Sequence, residues 1–89
     1  MAHRRLRIAN VKGLHARASA RLVEVVEAHD ATATVAKDGM EASGDSIMGL
    51  LMLAAGLGST VEVTTAGPEA DRLADAIAAL VADKFGEGE

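Results

Sequence analysis

The sequence predicts an α/β (α+β) fold, a two-layer sandwich in which helices cover one side of a four-stranded sheet. Segments of alternating apolar and polar residues are interspersed with segments of helical period, in the order β-α-β-β-α-β-α. The helices must all bury one apolar face, which places them together on one side of the sheet. Residues 1–89 are 49 % hydrophobic, which is enough to build the core of a single domain.

The first half of the chain supplies a strand, a helix and a hairpin. Alternating apolar and charged residues predict a strand over residues 4–9, and apolar residues at helical spacing predict a helix over residues 16–28. Alternating runs predict strands over residues 32–37 and 40–43. Asp38-Gly39 joins these two strands, because this pair accepts the positive φ angles that a two-residue hairpin turn needs.

The second half supplies a short helix, a strand and the longest helix. Ser46 precedes the apolar run of residues 47–55, which predicts a helix N-cap followed by a helix of about two turns that ends at Gly56. Alternation predicts a strand over residues 60–65, and an apolar stripe at helical spacing predicts a helix over residues 69–85. Residues 86–89 are expected to form a frayed acidic tail.

Charge is distributed unevenly along the chain. The net charge is −4, yet six of the nine Lys and Arg residues lie within the first 21 residues, and all 13 acidic residues follow them. A positive N-terminal third indicates an anion or an acidic partner, or else a solvated polar face. A nucleic-acid-binding module is another use for these basic residues, but the net charge and the single aromatic residue, Phe85, argue against it.

Composition excludes several other classes of site. There are 0 cysteines, which excludes disulfides, zinc fingers, iron–sulfur clusters and thiol catalysis and fits a reducing cytoplasm. His3, His15 and His29 share no metal-ligand spacing, so no metal site is expected. No apolar stretch reaches the roughly 18 residues of a membrane span, and the N-terminus lacks the apolar segment of a signal peptide. We therefore expect a cytoplasmic protein without membrane insertion.

His15 has the most informative position for chemistry, immediately before the predicted helix of residues 16–28. The first helix amides, those of Ala16, Arg17 and Ala18, have no intrahelical acceptor and bind phosphate well. The positive helix end disfavours imidazolium, so the neutral ring offers a nucleophilic lone pair beside the Arg17 cation. This set suits acceptance and retention of a phosphoryl group, since no acid lies nearby in sequence to activate water. The alternative is a capping histidine beside a solvated arginine.

Two segments of the chain resemble one known family. Residues 12–19, Lys-Gly-Leu-His-Ala-Arg-Ala-Ser, resemble the active-site segment of the histidine phosphocarrier proteins (HPr) of the bacterial phosphoenolpyruvate-dependent phosphotransferase system. Residues 44–59 resemble the serine-site and second-helix region of that family, at a matching spacing. The resemblance covers nearly the whole chain, and it implies an HPr-like open-faced β-sandwich with a four-stranded antiparallel sheet covered by three helices.

The resemblance implies a phosphocarrier, not an enzyme with its own turnover. The phosphoryl group would come from phospho-enzyme I, reside on Nδ1 of His15 beside Arg17, and pass to a IIA component of the phosphotransferase system. No cofactor is implied. The alternative within the family is a mainly regulatory, nitrogen-branch protein that is not coupled to sugar uptake. The chain departs from the family at Ala18, where many members have proline, and it therefore keeps one more N–H donor in the first helical turn.

The resemblance also implies a regulatory site and a docking surface. In many relatives the serine at the position of Ser46 is phosphorylated by an HPr kinase/phosphorylase, which is compatible with an N-cap role for its hydroxyl. The helix after Ser46 is apolar around more than half of its circumference, which indicates exposed apolar side chains. A monomer is expected, because a carrier must expose one site to several partners. The residues expected to dock enzyme I and IIA are Arg17, Arg21, Glu24, Ile47, Met48, Leu51 and Met52.

Overall fold

The strands and helices follow one another in the order that the sequence predicts. The computed structural model describes residues 1–87. Its elements are β1 (Ala2–Arg7), α1 (Ala16–Glu27), β2 (Thr32–Lys37), β3 (Met40–Ser43), α2 (Ile47–Met52), β4 (Thr60–Ala66), α3 (Ala70–Ala82) and a 3-10 turn at Lys84–Gly86. The bounds of β2 and β3 agree with the prediction, and those of α1 and β4 agree to within one residue.

The strands form one antiparallel sheet with the order β1-β4-β2-β3. Val35, Val61 and Val63 face the core and are at most 3 % exposed, whereas Thr34 and Glu62 lie on the opposite, solvent-exposed face. α3 packs on β1 and β4, and α1 packs on α2 and α3, so the helices cover a single face of the sheet. The predicted α/β (α+β) open-faced sandwich is therefore confirmed.

All three helices contribute to one hydrophobic core above the sheet. Leu22 of α1, Leu50 of α2, and Leu73 and Ile77 of α3 are each 3 % exposed or less. Burying a side chain of this size stabilises the folded state by about 1.5–3 kcal/mol. This packing fixes the position of each helix on the sheet and, with it, the position of each helix end.

β1 lies nearer the N-terminus than the strand predicted for residues 4–9. Pairing with β4 begins at Ala2, which faces Thr65, because β4 is long enough to extend the ladder in that direction. Ile8 lies beyond the strand, and its N–H donates to the Ser59 carbonyl at 2.8 Å. Ile8 is nevertheless 1 % exposed, which agrees with its place on the apolar side of the sequence pattern.

The prediction that α2 ends at Gly56 is wrong, because the helix ends at Met52. Ala54 adopts a left-handed backbone conformation (φ 53°), which interrupts the helix. The resulting turn buries Leu53 and Ala55, each 3 % exposed, and leaves Ala54 in contact with solvent. The Ala55 carbonyl then accepts the Leu14 N–H at 2.8 Å.

The prediction that α3 continues to Phe85 is also wrong, because the helix ends at Ala82. Lys84 and Phe85 both have φ 55° and turn the chain back toward α1. A left-handed residue costs about 1–2 kcal/mol. Phe85 is 0 % exposed, and the burial of such a ring, about 1.5–3 kcal/mol, offsets a large part of that cost. The turn brings Gly86 and Glu87 to the N-terminal end of α1.

The described part of the chain contains no helix that is long and apolar enough to cross a membrane. Across residues 1–87 there is also no group of three or more His, Asp or Glu side chains that could share a metal ion. His3 lies 3.2 Å from a carboxylate oxygen of Glu62, and the Nδ1–H of His29 donates to the Val25 carbonyl at 2.7 Å. His3 and His29 therefore each contact a different partner residue.

Candidate functional site

His15 caps the N-terminal end of α1 with its own ring. Its backbone is extended (φ −78°, ψ −176°), and the Arg17 N–H donates to its Nδ1 at 3.3 Å. This bond satisfies one of the helix amides that have no intrahelical partner. Because Nδ1 accepts a hydrogen bond, it carries the lone pair, and the neutral ring has its proton on Nε2.

The loop before His15 is held by a buried asparagine and by the backbone that follows α2. Asn10 is 0 % exposed, and its Nδ2 donates to the Gly13 carbonyl at 2.8 Å. Gly13 has φ 65°, and a Cβ at this position would lie 2.4 Å from the Ala55 carbonyl oxygen. The Leu14 N–H donates to that same oxygen at 2.8 Å. Glycine is therefore required for the close backbone approach that places His15.

Glu87 contacts the other ring nitrogen of His15, and sequence reasoning missed this contact. Its Oε2 pairs with Nε2 of His15, while its Oε1 accepts from Nδ2 of Asn10 at 2.9 Å. The hydrogen bond from Asn10, followed by the contact with His15, holds the pKa of Glu87 below its ordinary value of 4.5, and the charge of Lys12 adds to this effect. The carboxylate is therefore ionised at neutral pH.

This contact lies in the tail that was predicted to fray over residues 86–89. Gly86 and Glu87 lie against the N-terminal end of α1, and residues 88–89 are outside the described part of the chain. No sequence pattern signals the contact, because 72 residues separate Glu87 from His15. A short acidic segment rich in glycine looks the same whether it frays or packs, so the tertiary structure alone decides between the two.

Three cationic side chains surround the pair formed by His15 and Glu87. We call this depression the His15 pocket; it is lined by Lys12, His15, Arg17, Arg21, Gly86 and Glu87. Arg17 and Arg21 lie about one helical turn apart on the exposed face of α1. Among the residues that the structure describes, these three cations outnumber the carboxylate of Glu87, and their excess positive charge attracts an oxyanion toward the helix amides.

The first turn of α1 lies where the sequence predicts a phosphate-binding backbone. The helix begins at Ala16, so the amides of Ala16, Arg17 and Ala18 belong to this turn. The Ala18 side chain is 0 % exposed and packs in the core, whereas the Arg17 side chain is exposed beside His15. The structure therefore brings together the histidine, the arginine and the amides that the sequence singled out.

Comparisons with known proteins find relatives over the full length of the chain. The family model described as "PTS HPr component phosphorylation site" matches residues 2–83. Phosphocarrier protein HPr of Cupriavidus necator is 45 % identical over 89 residues, which is 100 % of both chains. Phosphocarrier protein NPr of Shewanella violacea is 43 % identical over 84 residues, 94 % of this chain and 92 % of its own. The crystal structure of HPr-C-His from Thermoanaerobacter tengcongensis has a TM-score of 0.93 at 31 % identity and 98 % coverage of both chains.

The chain belongs to the HPr phosphocarrier family. The resemblance seen in residues 12–19 and 44–59 is thereby confirmed, and so is the HPr-like fold. Its relatives include proteins named HPr and NPr at nearly equal identity. Both names describe a phosphocarrier protein, and the matching family model refers to the phosphotransferase system (PTS).

The residues predicted to dock partners lie on α1 and α2, on either side of His15. Arg17, Arg21 and Glu24 are exposed on α1. The α2 patch is formed by Ile47, Met48, Leu51 and Met52; of these, Met48 and Met52 are 71 % and 67 % exposed, and Leu51 is half-buried. A shallow depression connects this patch to the histidine and is lined by Lys12, Leu14, His15, Leu51, Ala54, Ala55 and Gly56.

Ser46 caps α2, as the sequence predicts. Its Oγ accepts the Gly49 N–H at 3.1 Å. A Cβ at Gly49 would lie 3.1 Å from this same oxygen, so the absence of a side chain at residue 49 relieves crowding at the cap. Ser46 is partly exposed and is followed by the exposed Ile47 and Met48, so a group added to its hydroxyl would lie beside the α2 patch.

We predict that Gly13→Ala destabilises the protein more than Gly39→Ala does. Both glycines have positive φ, but a Cβ at Gly39 meets nothing within 4 Å, whereas a Cβ at Gly13 meets the Ala55 carbonyl at 2.4 Å. Both variants bear the left-handed strain, and Gly13→Ala bears an overpacking cost of about 1–3 kcal/mol in addition. Urea denaturation measures the difference, and equal losses would contradict the close approach at Gly13.

We predict that the contribution of Glu87 to stability depends on pH. A carboxyl with a lowered pKa stabilises the folded state above its unfolded-state pKa, and this contribution is lost as the pH falls through the folded value. Glu87→Gln should therefore be less stable than the wild type at neutral pH and should approach it below about pH 4. Denaturant midpoints of both proteins across this range test the prediction. A difference that stays constant down to strong acid would refute it.

Proposed function

We propose that the chain accepts a phosphoryl group on Nδ1 of His15 from phospho-enzyme I and passes it to a IIA component. One observation carries the proposal: Nδ1 accepts the Arg17 N–H at 3.3 Å in the first turn of α1. This bond aims the lone pair of the ring at helix amides of the kind that bind phosphate. Membership of the HPr phosphocarrier family supports the phosphotransferase setting.

Transfer to His15 requires one bond to form and one to break. The Nδ1 lone pair attacks phosphorus while the bond from phosphorus to the donor breaks, and the leaving atom of the donor keeps the electron pair. The Arg17 N–H, which no longer finds a lone pair on Nδ1, donates to a phosphoryl oxygen instead. The side chains of Lys12 and Arg17, which line the same pocket, compensate the charge of the group.

Retention of the phosphoryl group is supported by the contacts of Glu87, the one carboxylate among the described residues that line the His15 pocket. Glu87 contacts Nε2 of the ring, not Nδ1, and its second oxygen accepts from Asn10. With both oxygens engaged on the far side of the ring, this carboxylate does not activate water at phosphorus. The chain therefore acts as a carrier without turnover or cofactor of its own, and its partner proteins complete the chemistry.

We further propose that enzyme I and IIA dock over His15 and contact the α2 patch together with the exposed face of α1. Met48 and Met52 are well exposed, and methionine repacks easily against different partners. Arg17, Arg21 and Glu24 form a charged rim, which favours fast and reversible association. The carrier would act as a monomer in the cytoplasm, because several partners must reach one exposed site.

Phosphorylation of Ser46 by an HPr kinase/phosphorylase is proposed as the regulation of this docking. The hydroxyl is partly exposed at the N-terminus of α2, next to Ile47 and Met48. A phosphoryl group there adds about two negative charges beside an apolar docking surface. The physical effect would be to weaken docking without moving His15.

A mainly regulatory, nitrogen-branch role is the second candidate. It is supported by the relative named NPr, whose 43 % identity is close to the 45 % of the relative named HPr. Once the chain is phosphorylated, mixing it separately with a sugar-specific IIA and a nitrogen-branch IIA distinguishes the two roles. The faster acceptor identifies the branch that this carrier serves.

We predict that His15 is the sole acceptor of the phosphoryl group. Wild type, His15→Ala and His29→Ala are each incubated with enzyme I, Mg²⁺ and phosphoenolpyruvate, and the intact mass and the acid lability are measured. One acid-labile phosphate is expected on wild type and His29→Ala, and none on His15→Ala. His29 is the matched control, because its ring lies at the opposite end of α1 and bonds the Val25 carbonyl. A phosphate that persists on His15→Ala overturns the proposal.

We predict that Ser46→Asp slows phosphoryl transfer from enzyme I by about tenfold or more, because it places a charge at the docking surface. Aspartate is itself a good N-cap, so the unfolding midpoint should hardly change. Ser46→Ala should do the reverse, with a loss of about 1 kcal/mol in stability and a normal transfer rate. Ala79→Asp, on the exposed side of α3, is the charge control. Equal rates for both Asp variants would contradict the proposed regulation.

A further inference from the structure

We propose that Glu87 is a positioning residue for phosphoryl acceptance by His15, whose ring it holds through Nε2–H so that the lone pair stays on Nδ1. The inference rests on the proposed function, since it concerns the same histidine. It assigns a role to the C-terminal segment, 72 residues away along the chain. The role differs from those of Arg17 and the helix amides, which act on the other side of the ring.

The carboxylate is held rigidly enough to orient the ring. Oε2 contacts His15 Nε2, and Oε1 accepts from Nδ2 of Asn10 at 2.9 Å. Asn10 is 0 % exposed and donates at the same time to the Gly13 carbonyl, 2.8 Å away, in the loop that leads into His15. One buried amide therefore holds both the carboxylate and the loop. The Glu87 side chain is 14 % exposed, so little water competes for these bonds.

Two independent contacts require the same tautomer of His15. Nδ1 accepts from the Arg17 N–H and so cannot carry a proton. The ionised carboxylate of Glu87 can only accept, so Nε2 must carry one. The ring thus has its nucleophilic nitrogen toward α1 and its N–H toward Glu87 before any donor arrives. A ring with one of these contacts alone would sample the other tautomer or rotate.

The carboxylate also stabilises the ring during transfer. When the Nδ1 lone pair forms the bond to phosphorus, positive charge develops on the imidazole and is shared by Nε2–H. Glu87 faces this charge, while the bond from phosphorus to the donor breaks and the donor keeps the electron pair. The proton stays on Nε2 throughout, so no external acid or base is required. In the reverse direction the ring leaves phosphorus as the same neutral tautomer.

The backbone conformation after α3 explains why Glu87 lies beside His15. Phe85 is fully buried, and Lys84, Phe85 and Gly86 have φ 55°, 55° and 77°, so three successive residues of positive φ direct Glu87 toward His15. A Cβ on Gly86 would lie 3.2 Å from a guanidinium nitrogen of Arg21, so the glycine leaves room for that side chain. The charged groups around the carboxylate are Lys12, His15, Arg17 and Arg21.

The experiment compares the full chain with Glu87→Ala and Glu87→Gln. Glu27→Gln is the matched control, because it removes the same charge from an exposed glutamate at the other end of α1. A ¹⁵N–¹H spectrum first confirms that each variant is folded. The couplings between ring protons and ring nitrogens of His15 are then recorded without any phosphoryl donor. We expect one pure tautomer, with the proton on Nε2, in wild type and Glu27→Gln, and an averaged pattern in Glu87→Ala.

The second measurement is the single-turnover rate of phosphorylation at saturating phospho-enzyme I. Loss of a charge-assisted hydrogen bond predicts a rate about 10- to 100-fold lower in Glu87→Ala, with an unchanged half-saturating concentration of donor. Glu87→Gln should be intermediate, because the amide keeps one acceptor oxygen without the charge. Glu27→Gln should react at the wild-type rate.

The outcomes separate this inference from the proposed function. If wild type takes no phosphate on His15, the proposed function fails, and the spectrum still shows whether Glu87 sets the tautomer. If wild type is phosphorylated but Glu87→Ala keeps both the tautomer and the rate, the positioning role is refuted. A faster reaction in Glu87→Ala also refutes it, because the carboxylate would then be competing with the incoming phosphoryl group.

Discussion

The hydrogen bond from the Arg17 amide to the ring of His15 is the interaction on which the site depends. It caps α1 and places the ring at the positive end of the helix, and together with the contact between Nε2 and Glu87 it sets the orientation and the tautomer of the ring. Nδ1 is directed to the amides that bind an oxyanion, and Nε2 is left for Glu87. A bond of the kind that caps helices therefore also helps to fix which ring nitrogen carries the lone pair.

The core supports this cap from two distant parts of the chain. Gly13 lies against the Ala55 carbonyl and fixes the loop that enters α1, while buried Phe85 fixes the turn that delivers Glu87. Both supports use left-handed backbone, with φ 65° at Gly13 and 55° at Phe85. Such conformations persist where the surrounding packing overdetermines them. Glycine adopts this conformation without strain, whereas the strain at Phe85 is offset by the burial of its ring, which is 0 % exposed.

A phosphocarrier has to combine a rigid reactive group with free access to it. The His15 side chain is held through both ring nitrogens and is still 28 % exposed. The cations around it, Lys12, Arg17 and Arg21, lie at the surface, where they attract an anion without enclosing it. The apolar side chains of the α2 patch begin on the other side of the same histidine. Contacts within the fold therefore hold the ring of His15 in place, while exposed side chains around it remain available to contact partners.

The sequence by itself determined the elements whose signals are local. Alternation marks the strands, Asp38-Gly39 marks the hairpin, and Ser46 and His15 mark the helix starts, because each of these features depends on residues a few positions apart. Only the tertiary structure decided where α2 and α3 end and which acid meets the histidine. Helix ends depend on which side chains the core takes up, as the buried Phe85 shows. The pairing of Glu87 with His15, 72 positions apart, depends on the path of the chain between them, which local periodicity does not encode.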